Sequence, residues 1–294
     1  MPLIVNADDF GLTPGVNRSI AELSRAGALT SATLMATGAF FDDAVALAHA
    51  TPALEVGCHV LLVDGTPVLP PPLIPTLCPD GRSFRPSLTA FVRALVARRI
   101  RPAEITAEAT AQIRRLQDAG LRVSHIDTHK HTHLFSAVLH PLLAAAESCG
   151  VGAIRNPFEP DWALRATQGV SPLRRLAVVA LHSRHQAFLR AVQASGLATT
   201  SGTIGVLSTG TLDVEKTLRR LFAAIPRDSP YGLPTRRSGS PTARTWELVC
   251  HPGYPDEHLD RVRTRLRASR AREHEALLEL LPGAPRTSWR SLQA

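Results

Sequence analysis

The sequence predicts an α/β protein, a single domain built as a distorted TIM-like (β/α) barrel. Three observations carry that expectation. Short apolar runs alternate with longer runs of helical periodicity along most of the chain, the pattern of a parallel sheet wrapped by helices. Seven or eight such units fit into 294 residues, which suits one barrel better than an open sheet. Hydrophobic residues make up 44% and charged residues 20%, so a domain this long can bury roughly three quarters of its unfolded surface.

The elements follow in order. Leu3–Val5 reads as a strand, and Thr13 with Pro14 reads as N-cap and first position of a helix that stops near Gly27. Ala32–Met35 is a second strand, Asp42–Ala50 a helix and Leu54–Val60 a third strand. Residues 64–87 carry Pro67, Pro70, Pro71, Pro72, Pro75, Pro79 and Pro86, which excludes regular helix or central strand and predicts a long excursion, either lid-like or disordered. Helices are expected at 88–98, 103–119 and 136–149, with strands at Arg122–Asp127 and Gly152–Arg155. A longer helix over 171–195, a strand at Thr203–Val206 and a helix at Asp213–Ala224 come next. Residues 226–244, rich in Pro, Ser, Gly and Arg, form a second excursion. Trp246–Cys250 is a strand, a charged helix runs to about Leu281, and Thr287–Leu292 reads as a last strand.

Composition narrows the function classes. The formal charge is +8, from 33 Lys+Arg against 25 Asp+Glu, yet Lys130 and Lys216 are the only lysines. Arginine forks suit phosphate and nucleic acid. Here the arginines are spread along expected helices without interleaved aromatics, so genome composition accounts for them and no nucleic-acid partner is expected. Four scattered cysteines give neither a disulfide framework nor a CxxC zinc pair. No signal-peptide core and no run of about 20 apolar residues is seen, which predicts a soluble cytoplasmic protein with no transmembrane segment.

Chemistry gathers at four strand ends, where barrel enzymes place their reactive groups. Asp8 and Asp9 lie side by side in Asn6-Ala7-Asp8-Asp9-Phe10-Gly11. Two such carboxylates must either stay hydrated, as in an Asx turn before Thr13, or meet a cation that holds one ionised and leaves the other as a base. A sharp turn at Gly11 would let both face one cavity. His59 ends Val56-Gly57-Cys58-His59-Val60 and is either a core histidine or a ligand, with Cys58 turned away as a small core residue. The strongest signal is His125-Ile126-Asp127-Thr128-His129-Lys130-His131-Thr132-His133, four of the chain's twelve histidines in nine residues. Imidazoles ligate divalent ions, and a carboxylate beside them orients the ring. His251, in Leu248-Val249-Cys250-His251-Pro252-Gly253-Tyr254, is a candidate proton donor. Arg155 either fixes carboxylates or makes a surface ion pair.

With NADDFG, GxH, DxHxHxH and CHPGY in that order, the sequence resembles the YdjC-like carbohydrate deacetylase family from Ile4 to about Leu281, more weakly over 156–245. The resemblance implies a distorted β/α barrel that removes acetyl groups from N-acetylated sugars with one divalent metal, Mg²⁺ or Zn²⁺. It makes Asp9, His59 and His129 the ligands, Asp8 the general base and His251 the general acid, with Asp127, His131 and Arg155 as substrate-holding or positioning groups. The segment Leu61–Pro71 looks like the hopanoid-biosynthesis-associated branch. The expected substrate is therefore a chito-oligosaccharide or an N-acetylglucosaminyl lipid, with peripheral membrane contact and a homodimer as further expectations. The stretch Ser201-Gly202-Thr203-Ile204-Gly205 departs from the family pattern, which has an aromatic beside the glycine. Two other classes remain open at this point: hydrolysis of a phosphoester at the same site, and a basic nucleic-acid-binding protein.

Overall fold

The computed structural model describes residues 3–210, 214–225, 244–283 and 286–293. Six parallel strands form one sheet in the order β4-β3-β2-β1-β6-β5. They are β1 (Leu3–Phe10), β2 (Ser31–Leu34), β3 (Glu55–Val60), β4 (Val123–Thr128), β5 (Gly202–Ile204) and β6 (Trp246–Cys250). The helices are α1 (Pro14–Arg25), α2 (Phe41–His49), α3 (Leu88–Val96), α4 (Pro102–Asp118), α5 (Ser136–Ser148), α6 (Asp161–Ala166), α7 (Pro172–Leu181), α8 (His185–Ser195), α9 (Val214–Ala224), α10 (Glu257–Arg261), α11 (Arg270–Leu280) and α12 (Trp289–Gln293). Every strand is buried along its length, as parallel sheets covered on both faces require. One continuous apolar core runs from Leu3 to Leu281.

The sheet curls as a half-barrel. A backbone strip from Gly152 to Phe158 touches both of its edges: Ile126 N donates to Ala153 O at 3.0 Å, Arg155 N to Ile126 O at 3.0 Å, and Thr203 N to Phe158 O at 3.0 Å. Among the described residues six strands are fewer than the eight of a TIM barrel, so the structure supports a parallel α/β domain compatible with a distorted barrel. The difference lies in two segments. Gly152–Arg155 forms single bridges, Ile126 with Ile154 and Ala153 with Ala198, and no ladder. The expected last strand at Thr287–Leu292 is instead α12, entered after Thr287 N bonds Leu3 O at 3.0 Å. Trp289 and Leu292, three residues apart on one helical face, pack on Ile4 and Ala153.

Other boundaries shift for local reasons. Residues 171–195 make two helices, α7 and α8, parted by a short 3₁₀ turn at His182–Arg184. The charged segment after β6 likewise splits into α10 and α11. Thr13 caps α1 through its hydroxyl, which accepts from Val16 N, and Pro14 opens the helix. Residues 226–243 of the expected second excursion lie outside the described residues.

The first excursion is packed. A 3₁₀ turn at Pro71–Leu73 is its regular structure, and Ile74, Leu77, Cys78 and Phe84 are buried. A polar row on α4, at helical spacing of four, holds its main chain. Gln112 accepts from Leu61 N at 2.8 Å and donates to Leu61 O at 2.7 Å. Glu108 accepts from Val68 N at 2.8 Å and Leu69 N at 3.0 Å, and Glu104 from Thr76 N at 2.8 Å. Replacing Glu108 by Ala strands two N–H groups, and we expect a loss of about 2 kcal/mol in urea denaturation, with faster proteolysis inside 64–87.

Candidate active site

The four strand ends converge because parallel strands all finish on one side of the sheet. Asp8 and Asp9 share one cavity because Asp9 leaves the strand alternation. Its φ is +66°, in the left-handed region, and the β1–β2 register shifts between Ala7 and Phe10. Gly11, at φ +92°, completes the turn. The expectation placed the turn at Gly11 alone, whereas the strained residue is a carboxylate, as functional sites often show.

Arg155 is the centre of the electrostatics. Its side chain is fully buried, and its guanidinium makes four hydrogen bonds to carboxylates with one further ion contact. Nη1 and Nη2 donate to Asp8 Oδ2 and Oδ1 at 2.9 and 2.7 Å. Nη1 also donates to Asp127 Oδ2. Nε and Nη2 reach Glu247 Oε1 at 2.8 and 2.7 Å. Arg155 thus fixes three carboxylates and makes no surface ion pair. Burial alone would raise the Asp8 carboxyl, but Arg155, with His59 and His251, holds it well below the usual carboxylate range. Burial pushes Glu247 up to about 7 against the pull of the same guanidinium.

Asp127 orients His59. Its Oδ1 lies 2.7 Å from Nδ1 of the ring, and Thr33 Oγ1 lies 3.3 Å from the same nitrogen. Burial favours neutral His59, yet Asp127 pulls it up to about 9. Nδ1 thus faces Asp127, and Nε2 faces Asp9 and His129. Those three donors form a triangle: His59 Nε2 to His129 Nδ1 3.2 Å, His59 Nε2 to Asp9 Oδ1 3.8 Å, and His129 Nδ1 to Asp9 Oδ1 3.7 Å. A cation about 2.1 Å from each would set the edges at about 3.0–3.4 Å. The donors therefore fit a divalent ion after a small contraction. In the second metal-like grouping among the described residues, Asp8 with His59 and Asp127, both carboxylates are already bonded to Arg155.

Arg270, at the start of α11, donates from Nη2 to Asp9 Oδ2 at 2.5 Å and is 1% exposed. It leaves Oδ1 alone to face the histidines. Burial raises the Asp9 carboxyl, but Arg270 together with His251, His129 and His59 brings it below the ordinary carboxylate range. His251 Nε2 stands 3.9 Å from Asp8 Oδ2, and its backbone N donates to Glu273 Oε2 at 2.6 Å. His131 sits on the left-handed turn Lys130–His131 with a buried, unpartnered Nδ1, and burial lowers it to about 3. Cys58 is buried on the other face of β3, and burial raises its thiol far above the ordinary range.

The family model described as YdjC-like protein matches residues 2–280. The chain belongs to the YdjC-like family. Two curated relatives bear the description carbohydrate deacetylase: one from Brevibacillus brevis, 42% identical over 54% of this chain and 60% of its own length, and one from Listeria monocytogenes, 38% identical over 55% and 64%. The match thus spans about three fifths of these relatives. Among solved structures, an Enterococcus faecalis chain described as a cellobiose-phosphate cleavage protein superposes with TM-score 0.70 at 24% identity, covering 99% of this chain and 98% of that one. It shares the fold.

Several site residues carried no sequence signal strong enough to single them out. Glu247 could have been suspected as a lone acid inside an apolar strand. Arg270 and Glu273 lie in a charged helix where nothing sets them apart. Asn6 and Thr33 polarise the same cavity: Asn6 Nδ2 and Thr33 Oγ1 both donate to Asp8 Oδ1 at 3.0 Å.

The donor triangle predicts that Asp9→Ala, His59→Ala and His129→Ala each abolish Mg²⁺ or Zn²⁺ binding by calorimetry; unchanged affinity in both histidine variants would refute the ligand set. A pH effect follows from Glu159, which is buried and accepts from Gly205 N at 3.0 Å and Leu207 N at 2.6 Å. Burial raises its carboxyl from 4.5 to about 7. A carboxyl raised on folding favours the protonated fold, so its contribution is complete below 4.5 and is lost as pH rises through about 7. Denaturation midpoints measured from about pH 5 to about pH 8 should fall less steeply in Glu159→Gln than in the parent protein.

Proposed function

We propose that the chain is a divalent-metal-dependent hydrolase that removes the acetyl group from an N-acetylated sugar and releases acetate. The observation that carries this reading is the triangle of Asp9, His59 and His129 set directly beside Asp8 and His251. The YdjC-like membership and the carbohydrate deacetylase relatives support the same class of substrate.

When bound, a divalent cation would polarise the acetamide carbonyl and acidify water at that position. The chain's own residues supply the rest. His59, locked by Asp127, and Asp9, locked by Arg270, present their donors in fixed orientations. Asp8 is the general base. Its Oδ1 is saturated by Arg155, Asn6 and Thr33, so Oδ2 is the oxygen that accepts the proton. His251 Nε2, 3.9 Å from that oxygen, delivers a proton to the departing amine. Water adds to the carbonyl carbon, the C–N bond breaks, and acetate and a free amino sugar leave.

Within this class the resemblance at Leu61–Pro71 favours an N-acetylglucosaminyl lipid such as a glycosylated hopanoid, beside chito-oligosaccharides. Among the described residues no helix is long and apolar enough to cross a membrane.

Acetate release from N-acetylglucosamine oligomers and an N-acetylglucosaminyl lipid, with an aryl phosphate as control, tests the reading. We expect acetate, its loss on chelation, and in Asp8→Asn retained metal affinity with turnover lowered at least about 100-fold. Phosphate release without acetate would overturn it.

A further inference from the structure

Behind Asp8 lies a buried hydrogen-bond relay whose direction the chemistry of its members fixes. Asn6 precedes Asp8 by two residues on β1 and faces the same side. Its Nδ2 is 3.0 Å from Asp8 Oδ1, and its Oδ1 accepts from Ser31 Oγ at 2.7 Å. An ionised carboxylate only accepts, so the amide has one permitted orientation, with nitrogen toward Asp8. That places Asn6 Oδ1 opposite His125 Nε2, 3.2 Å away. Two acceptors cannot share that contact, so Nε2 carries a proton.

The far side of the ring obeys the same logic. Burial holds His125 neutral, well below its ordinary range, so Nδ1 must accept. Ser124 Oγ stands 2.9 Å from Nδ1 and 3.0 Å from Val56 O. Ser124 has one proton, and the Nε2–H form claims it for Nδ1 in place of the bond to Val56 O. The ring cannot rotate away. Trp289 of α12 stacks on it with centroids 4.3 Å apart and planes at 13°. At Gly57 a Cβ would lie 2.5 Å from His125 Cε1, so only glycine leaves the ring its place.

We propose that His125, locked as the Nε2–H tautomer between Trp289 and Ser124, is a positioning residue that acts through Asn6 to set the orientation of the Asp8 carboxylate. The relay starts at α12, which packs on Ile4 near the beginning of β1, and ends at the base near its end. Its catalytic consequence rests on the deacetylase reading; its hydrogen-bond pattern does not.

Two measurements test it. In the ¹⁵N-histidine-labelled full chain at neutral pH, His125 should show a protonated Nε2 and a bare Nδ1; an Nδ1–H tautomer or an imidazolium would overturn the relay whatever the substrate proves to be. In turnover, His125→Met removes the donor at similar length and should lower kcat about 10- to 100-fold with KM and calorimetric metal affinity nearly unchanged. His125→Gln, whose amide nitrogen reaches the place of Nε2, should recover most of that loss. Equal kcat in the two variants, with both shown folded by thermal denaturation, would refute the positioning role. Should His125→Met fail to fold, the parent's tautomer and the kcat of His125→Gln still decide the matter. Absence of acetate release by the parent would remove the deacetylase reading and leave the tautomer measurement standing.

Discussion

One buried guanidinium organises this cavity. Arg155 sits on the strip that touches both edges of the half-barrel, and from there it holds Asp8 of β1, Asp127 of β4 and Glu247 of β6. Three carboxylates from three strands cannot be brought together in an apolar interior without a cation between them. The strip therefore has a chemical reason to follow the sheet edge even though it forms no full ladder. The same contact leaves Asp9 outside Arg155's reach, to be met by Arg270 on one oxygen and by two imidazoles facing the other. The cavity holds more carboxylate than guanidinium, and that residual negative charge faces the histidine pair, where a divalent ion would be stabilised.

Much of the frame was legible because it depends on local rules. The strand-helix alternation, the Thr13-Pro14 helix start and the run of prolines at 64–87 each follow from backbone chemistry that neighbours do not override. What failed was counting strands. Gly152–Arg155 has strand-like composition, yet its backbone partners are divided between β4 and Ala198, so no ladder extends. The Thr287–Leu292 segment alternates apolar and polar residues loosely enough to suit either period, and packing of Trp289 beneath the sheet decided for helix. Neither outcome is encoded within the segment itself.

The site divides along the same line. Asp8, Asp9, His59, Asp127, His129 and His251 stood out because each closes an apolar strand, where a charged or imidazole side chain is costly without a purpose. Their pairing was not legible. That Asp127 would serve both His59 and Arg155, or that Asp9 would leave the strand alternation through its own backbone, depends on distances between strands far apart in sequence. Arg270 and Glu273 were invisible for a different reason: arginine and glutamate are the commonest ornaments of an exposed helix, and only the tertiary fold turns these two inward.

The row Glu104, Glu108 and Gln112 grips the first excursion by its main chain. Every bond it makes to residues 61, 68, 69 and 76 is to a backbone N–H or C=O group, apart from one to the Thr76 hydroxyl. A clamp of that kind recognises the path of a loop and is blind to most of its side chains. The solvent-facing residues along this segment can therefore be exchanged with little structural consequence as long as its length and turns persist, while Ile74, Leu77, Cys78 and Phe84 keep their places in the core. Through Asp64, which accepts from Lys130 Nζ at 2.6 Å, the segment also meets the turn that follows His129.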